Sequence, residues 1–230
     1  MAASQKRKQI VLVHPRGFNW FPGKRDMTDI ANRMVPQGLL SIAAYLIKQG
    51  HDVFVYDCLG PEAPLDLQKQ AMAILAYQPQ IVGFSTTTSS FPDAADLARM
   101  IKEHTSDILT VCGGVHVSAL EEKLLLDYPA FDFLIPGEGE ETIAELAGGL
   151  APAGIKGLIW RRQEDIITNE PRPKIPDLDF LPFPAYEKLK GFPRDYHLPL
   201  FSYIHTPGAT MITSRGCMYQ CSYCDRSVFK

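Results

Sequence analysis

Three closely spaced cysteines carry the clearest chemistry in this sequence. Cys217, Cys221 and Cys224 lie in Cys217-Met218-Tyr219-Gln220-Cys221-Ser222-Tyr223-Cys224, a C-x3-C-x2-C arrangement. Thiolates packed this closely on one loop suit an iron–sulfur cluster, and a [4Fe–4S] cube normally takes four cysteines. Three from one loop leave one iron open to a non-protein ligand. The same thiols with His205 as a fourth donor are compatible with structural zinc, which wants a closed tetrahedral set. Cys58 and Cys112 sit at the ends of apolar runs and read as small packing residues. Five cysteines, three of them clustered, do not resemble a secreted disulfide framework.

The elements that must position this loop lie upstream. Residues 9–13 (QIVLV) form a continuous β-branched apolar run, as expected of a parallel strand covered on both faces. Further strands are predicted at 53–56, 81–84, 108–111 and 131–135. Helices are predicted between them: one through Leu39, Leu40, Ala43, Ala44 and Leu46 ending at Gly50, then 65–77, 92–104, 117–126 and 140–150. Five such units with short connections imply an α/β, flavodoxin-like, doubly wound five-stranded parallel sheet over residues 1–150, in the order 2-1-3-4-5. Residues 155–160 and 165–168 read as a hairpin added to it. The stretch from Pro171 to Pro207 is too rich in proline for a long helix or central strand, so residues 151–208 form a hairpin and wrapping linker. The run at 209–213 then opens a second domain over 209–230, with a first strand leading into the cysteine loop.

Ligands of such sheets bind at the carboxyl ends of the strands. After the third strand comes Ser85-Thr86-Thr87-Thr88-Ser89-Ser90, whose hydroxyls can cap a helix or bond a ligand. After the fourth, Gly113-Gly114 lets a ligand approach the backbone, with His116 beside it. After the fifth, Gly137-Glu138-Gly139 makes a tight turn ahead of a helix. No G-x-G-x-x-G follows the first strand and no G-x4-G-K-[ST] occurs, which argues against a dinucleotide or P-loop nucleotide.

Composition narrows the class. The chain has 230 residues, 46% hydrophobic and 21% charged, and a formal net charge of −3, which are globular values. Mixed charge gives no electrostatic case for nucleic acid or an anionic membrane. No run approaches the roughly 18 apolar residues of a spanning helix, and a cytoplasmic protein is the simplest expectation.

In this order the motifs resemble the cobalamin-binding class of radical S-adenosylmethionine (SAM) enzymes. The matching segments are Val35-Pro36-Gln37-Gly38-Leu39-Leu40, Gly50-His51-Asp52-Val53, Tyr56-Asp57, Gly83-Phe84-Ser85, Gly113-Gly114-Val115-His116, Pro136-Gly137-Glu138-Gly139-Glu140, Asp179-Phe180-Leu181-Pro182-Phe183-Pro184 and Thr213-Ser214-Arg215-Gly216-Cys217. The resemblance implies that Cys217, Cys221 and Cys224 bind a [4Fe–4S] cluster whose fourth iron is chelated by SAM, with Tyr223 beside the adenine. Cleavage of SAM would give a 5′-deoxyadenosyl radical acting on an unactivated carbon of a small-molecule substrate, with flavodoxin or ferredoxin as the kind of electron donor. It also implies cobalamin on the sheet, its nucleotide tail running between strand edges and helices. Ser85, Thr86 and Thr87 would face the tail, Gly113 and Gly114 would give it room, and Gly38, His116 and Gly137–Gly139 would complete the pocket. Methyl transfer is the expected outcome, with cyclisation the other known in the family. One departure is plain. The histidine-ligand motif D-x-H-x-x-G becomes Leu12-Val13-His14-Pro15-Arg16-Gly17, without the aspartate that would orient the imidazole. Cobalamin without a histidine ligand is therefore expected, with His14 a hydrogen-bonded residue at a strand end. Only the start of a barrel is present, so the chain reads as the N-terminal portion of an enzyme, inactive alone, or as a corrinoid-binding module.

Overall fold

The computed structural model describes residues 7–17, 34–196 and 210–224. Its strands are β1 (Gln9–His14), β2 (Asp52–Asp57), β3 (Ile81–Ser85), β4 (Leu109–Gly113), β5 (Phe133–Ile135), β6 (Ile159–Arg162) and β7 (Asp165–Thr168). They form one sheet in the order β2-β1-β3-β4-β5-β6-β7. The first five are parallel; β6 and β7 extend the sheet antiparallel. The predicted order 2-1-3-4-5 and the appended hairpin are both present.

Strand periodicity assigns the two faces. Ile10, Leu12, Ile81 and Val111 pack with helices α1 (Gln37–Lys48) and α6 (Glu140–Ala147). Val11, Val13, Val82, Phe84 and Cys112 point the other way, onto α2 (Leu67–Leu75) and α3 (Phe91–His104). Each helix buries one apolar stripe, as α3 does with Ala94, Leu97, Ala98 and Ile101. Asp66 caps α2 by accepting from Lys69 N at 2.9 Å. Gly50, at φ +90°, lets the chain leave α1. Cys58 and Cys112 are fully buried, consistent with packing roles.

Two expectations need correction. The helix predicted over 117–126 is two short ones, α4 (Val115–Leu120) and α5 (Lys123–Asp127). Glu121 between them adopts φ +51°, a left-handed conformation that interrupts the helical hydrogen-bond ladder. Second, residues 210–213 form no strand. A strand needs a neighbour to complete its ladder, and no described segment pairs with this one. Side chains hold it instead, with Tyr186 OH donating to the Thr210 carbonyl at 2.7 Å.

The proline-rich segment wraps as expected. Its described part contains only the short 3-10 turns Leu178–Phe180 and Tyr186–Lys188. Ala185 N donates to Leu40 O at 3.1 Å, and Leu189 and Tyr196 pack on Leu40. Residues 197–209, including His205, lie outside the described residues. No helix among the described residues is long and apolar enough to cross a membrane.

Gly114 shows how tightly the carboxyl edge is closed. Its φ of +98° and ψ of −177° belong to a region used essentially by glycine alone. A Cβ there would lie 2.4 Å from Thr86 O and 2.6 Å from Thr86 N. The crossing of two backbones, β4 over the end of β3, therefore requires this glycine before any ligand does. Gly114→Ala is expected to lower unfolding free energy by about 3 kcal/mol, read by urea denaturation followed by circular dichroism.

Candidate cofactor-binding site

The carboxyl ends of β1, β3, β4 and β5 meet the starts of α1 and α6, and a cavity of about 180 Å³ lies between them. Its sheet side is formed by Gly83, Ser85 and Gly113 on the face toward α1 and α6. Gly38 and Ile42 line it from α1, Gly139 and Ile143 from the start of α6. Leu12, Val111 and Ile135 make an apolar end, while Ile212 and Arg215 reach in from the segment before the cysteines. The space exists because side chains are missing. A Cβ on Gly83 would lie 3.0 Å from Leu12 Cδ2 and 3.5 Å from Ile143 Cδ1, and one on Gly139 would lie 3.3 Å from Ile42 Cδ1. An apolar cavity of about 150 Å³ accepts a benzene-sized ring, so this one suits a flat ring entering from the sheet edge.

The predicted residues divide around the crest of the sheet. Gly38, Ser85, Gly113, Gly114, Gly137, Glu138 and Gly139 all line the cavity. Thr86, Thr87 and His116 are not among its lining residues. Thr86 is buried and donates its hydroxyl to Gly113 O at 3.0 Å. Thr87 closes the turn into α3, its N–H donating to Ser90 Oγ at 3.0 Å. His116 places Nδ1 3.2 Å from Thr88 Oγ1 and its ring 4.4 Å from that of Phe91. Partial burial lowers its pKa from the ordinary histidine value. Of the hydroxyl run, Ser85 alone lines the cavity.

His14 has the hydrogen bond expected of it. Its Nδ1 lies 2.9 Å from Asp57 Oδ1, and the buried Asp57 also accepts from Tyr196 OH at 2.8 Å. His14 and Asp57 are register partners on β1 and β2. The carboxylate missing from position 12 is thus supplied by the neighbouring strand, and His14 stands outside the cavity lining.

The polar side of the cavity is built on Arg215. Its Nη1 donates to Glu138 Oε1 at 2.9 Å and its Nη2 to Glu140 Oε1 at 2.5 Å. Ser41 Oγ donates to the same Glu140 oxygen at 2.8 Å. Glu138 Oε2 accepts from Ile175 N at 2.7 Å, so the carboxylate is shared between guanidinium and backbone. Sequence reasoning gave no role to Arg215 or Gly83. The signal for Gly83 was a glycine inside an apolar strand, which marks close approach of another group. For Arg215 it was a cation two residues ahead of the first cysteine.

Cys217, Cys221 and Cys224 follow on an exposed loop, outside any disulfide, and Tyr223 is exposed beside them. Cys224 N donates to Cys221 O at 3.2 Å, turning the loop back on itself. Among the described residues no group of three His, Cys, Asp or Glu side chains is drawn together as a metal site. The donor set is nonetheless three thiols at iron–sulfur spacing, soft ligands on accessible backbone, and its chemistry fits a cluster.

Residues 24–147, more than half of the chain, match the B12 binding domain family. The chain belongs to that family. All residues lining the glycine-floored cavity fall within this match except Leu12 on β1 and Ile212 and Arg215 from the segment before the cysteines. Among its curated relatives is an uncharacterized methyltransferase of Pyrococcus horikoshii, 32% identical over 197 residues. That match covers 84% of this chain and 41% of the relative. An anaerobic magnesium-protoporphyrin IX monomethyl ester cyclase of Synechocystis sp. is 32% identical over 205 residues, covering 86% and 39%. The chain thus spans well under half the length of these relatives. A solved structure of TsrM from Kitasatospora setae, a radical SAM methyltransferase with cobalamin and a [4Fe–4S] cluster bound, shares the fold. Its TM-score is 0.58 at 22% identity, over 74% of this chain and 30% of that one.

The five thiols of the B12-binding chain fall into two classes. Burial pushes the Cys112 thiol up to about 12 and raises that of Cys58 as well. The thiolate is the reactive form. With metal removed, iodoacetamide at pH 8 is expected to label Cys217, Cys221 and Cys224 promptly, and Cys58 and Cys112 only after denaturant is added. Peptide mass spectrometry reads the difference.

Proposed function

We propose that this chain is the corrinoid-binding portion of a cobalamin-dependent radical SAM enzyme of the methyltransferase type. Its sheet holds cobalamin, and its three cysteines hold a [4Fe–4S] cluster to which SAM binds. The observation that carries the reading is one cavity at the carboxyl edge of a B12-binding sheet, lined also by Ile212 and Arg215, which lead directly into Cys217. When bound, the cluster with SAM supplies carbon-centred radical chemistry, and cobalamin supplies a transferable methyl group. What the chain's own residues do follows from their placement. Gly83, Gly113 and Gly139 withhold side-chain volume where a flat tail ring enters; Leu12, Val111, Ile135 and Ile143 keep water from its faces. A cavity of this size takes the tail rather than the macrocycle. Ser85 Oγ is the hydroxyl placed to bond a polar edge of the tail. The thiols of Cys217, Cys221 and Cys224 ligate three irons, and Tyr223 stands next to the third of them in sequence.

Support for radical SAM chemistry comes from the cysteine spacing together with the relatives, two of which are methyltransferases by name while another is a cyclase. Methylation is the reading preferred here because the cyclase is the minority among them. The substrate is a small molecule, and the reductant is an electron-carrier protein such as flavodoxin or ferredoxin.

Anaerobic reconstitution tests the two cofactor assignments separately. The wild-type chain is expected to retain about one corrinoid and one cluster, read by visible absorbance and iron content. Gly83→Leu fills the cavity and is expected to weaken corrinoid binding about tenfold or more, equivalent to about 1.4 kcal/mol, with the cluster signal unchanged. Cys217→Ala is expected to do the reverse. A wild-type chain that retains no corrinoid overturns the sheet assignment, and corrinoid binding indifferent to Gly83→Leu moves the ligand out of the cavity.

A further inference from the structure

Two carboxylates at the mouth of the cavity are nearly inaccessible: the side chains of Glu138 and Glu140 are 9% and 4% exposed. Such burial is unfavourable for an anion unless a cation and further donors satisfy it. Arg215 is that cation, itself only 16% exposed, and it reaches both carboxylates at once through its planar fork. Its Nη2 also lies 3.3 Å from Ser41 Oγ on α1. A single guanidinium thus joins α1 and the β5–α6 turn to the position two residues before Cys217. The other end of the same segment is held independently. Gln37 Nε2 donates to Thr210 Oγ1 at 2.9 Å, and Tyr186 OH donates to Thr210 O. Between these attachments Ile212 lines the cavity together with Arg215.

We propose that Arg215 is a positioning residue, a latch that fixes the segment leading into the cysteine loop over the corrinoid cavity through Glu138 and Glu140. The proposal rests on the corrinoid reading of that cavity and adds a coupling to it. A ligand in the cavity touches Ile212 and Arg215 only while the segment is docked, so it binds the docked state more tightly than the released one. Docking and corrinoid binding then reinforce each other by the same factor in both directions. Glu138, given by sequence as a corrinoid contact, acts here through Arg215, since both its oxygens are engaged by Arg215 and the Ile175 N–H.

Trypsin reads the latch directly. Cleavage of the Arg215–Gly216 bond requires the guanidinium to leave Glu138 and Glu140 and enter the protease. The full chain is purified anaerobically and digested with and without methylcobalamin, whose binding is checked by its visible spectrum. Cleavage beside the exposed Arg7 serves as the internal reference. In wild type, bound methylcobalamin is expected to slow cleavage at Arg215 about tenfold, a coupling of about 1.4 kcal/mol. Without corrinoid, Glu140→Gln is expected to speed that cleavage about tenfold. Arg215→Lys keeps the charge and the tryptic bond but loses the fork, and is expected to behave like Glu140→Gln. Both variants are expected to bind methylcobalamin more weakly, by no more than the tenfold coupling that slows cleavage of the liganded wild type. A melting profile confirms that each is folded, and if Glu140→Gln is not, Arg215→Lys carries the comparison.

The latch is overturned if corrinoid-free wild type and Arg215→Lys are cleaved at equal rates. The coupling is overturned if methylcobalamin binds with normal stoichiometry and leaves cleavage at Arg215 unchanged. Failure of wild type to bind methylcobalamin at all refutes the corrinoid reading instead, and the corrinoid-free comparison still decides the latch.

Discussion

Withheld side-chain volume on one face of the sheet is the constraint from which the site follows. A parallel sheet covered by helices on both sides is normally packed solid, with few voids larger than a water. On the α2 and α3 side this one is, with Val82, Phe84 and Cys112 meeting Leu97, Ala98 and Ile101. On the other side β3 offers Gly83 and Ser85, and β4 ends in Gly113, against helices that begin near Gly38 and Gly139. The β-branched residues that would suit a central strand are absent at just those positions. A gap in one layer of an otherwise close-packed domain forgoes dispersion and burial energy, and a ligand ring that fills it restores them. The cavity is in this sense an incomplete core.

Electrostatics then fixes what lies across the opening. Removing one partner of a buried ion pair is unfavourable by about 3–5 kcal/mol, because a charge remains without compensation. Glu140, 3% exposed, sits at the start of α6, where the helix dipole also favours an anion. That local preference explains an acid at this place but not its burial. Burial requires Arg215 from more than seventy residues away, and Ser41 from α1, to complete the hydrogen bonding. The acidic turn therefore serves two ends: it begins a helix, and it selects the cation that ties the cysteine segment to the sheet.

Much of this was legible in the sequence, and the exceptions share a cause. Strand order and the appended hairpin could be read because continuous apolar runs and their spacing are local signals. Ser85, Gly113 and Gly137–Gly139 could be placed at the carboxyl edge of the sheet because topology puts every loop after a strand there. Thr86, Thr87 and His116 belong to the same loops but face the α3 side, and sequence adjacency does not say on which side of a crest a side chain falls. The break at Glu121 depends on a left-handed residue that is not glycine, a choice made by tertiary packing. Residues 210–213 have strand composition, yet a strand exists only with a partner. The role of Arg215 is not legible in the sequence, since its carboxylates are distant in sequence and converge only in the fold.

The contrast within ten residues of chain sharpens the relation between the two halves of the site. Arg215 is half-buried and bonded to Glu138, Glu140 and Ser41, whereas Cys217, Cys221, Cys224 and Tyr223 are exposed. The loop is fixed at its root and open at its tip. An exposed tip leaves the thiols free to converge, which a packed loop would resist. A fixed root limits where that convergence takes place, because Gly216 alone separates the bound guanidinium from the first thiol. The sheet edge and the root of the cysteine loop are therefore held in one frame by side chains. On this reasoning the root of the cysteine loop takes its position from Ser41, Glu138 and Glu140, residues of the B12-binding domain.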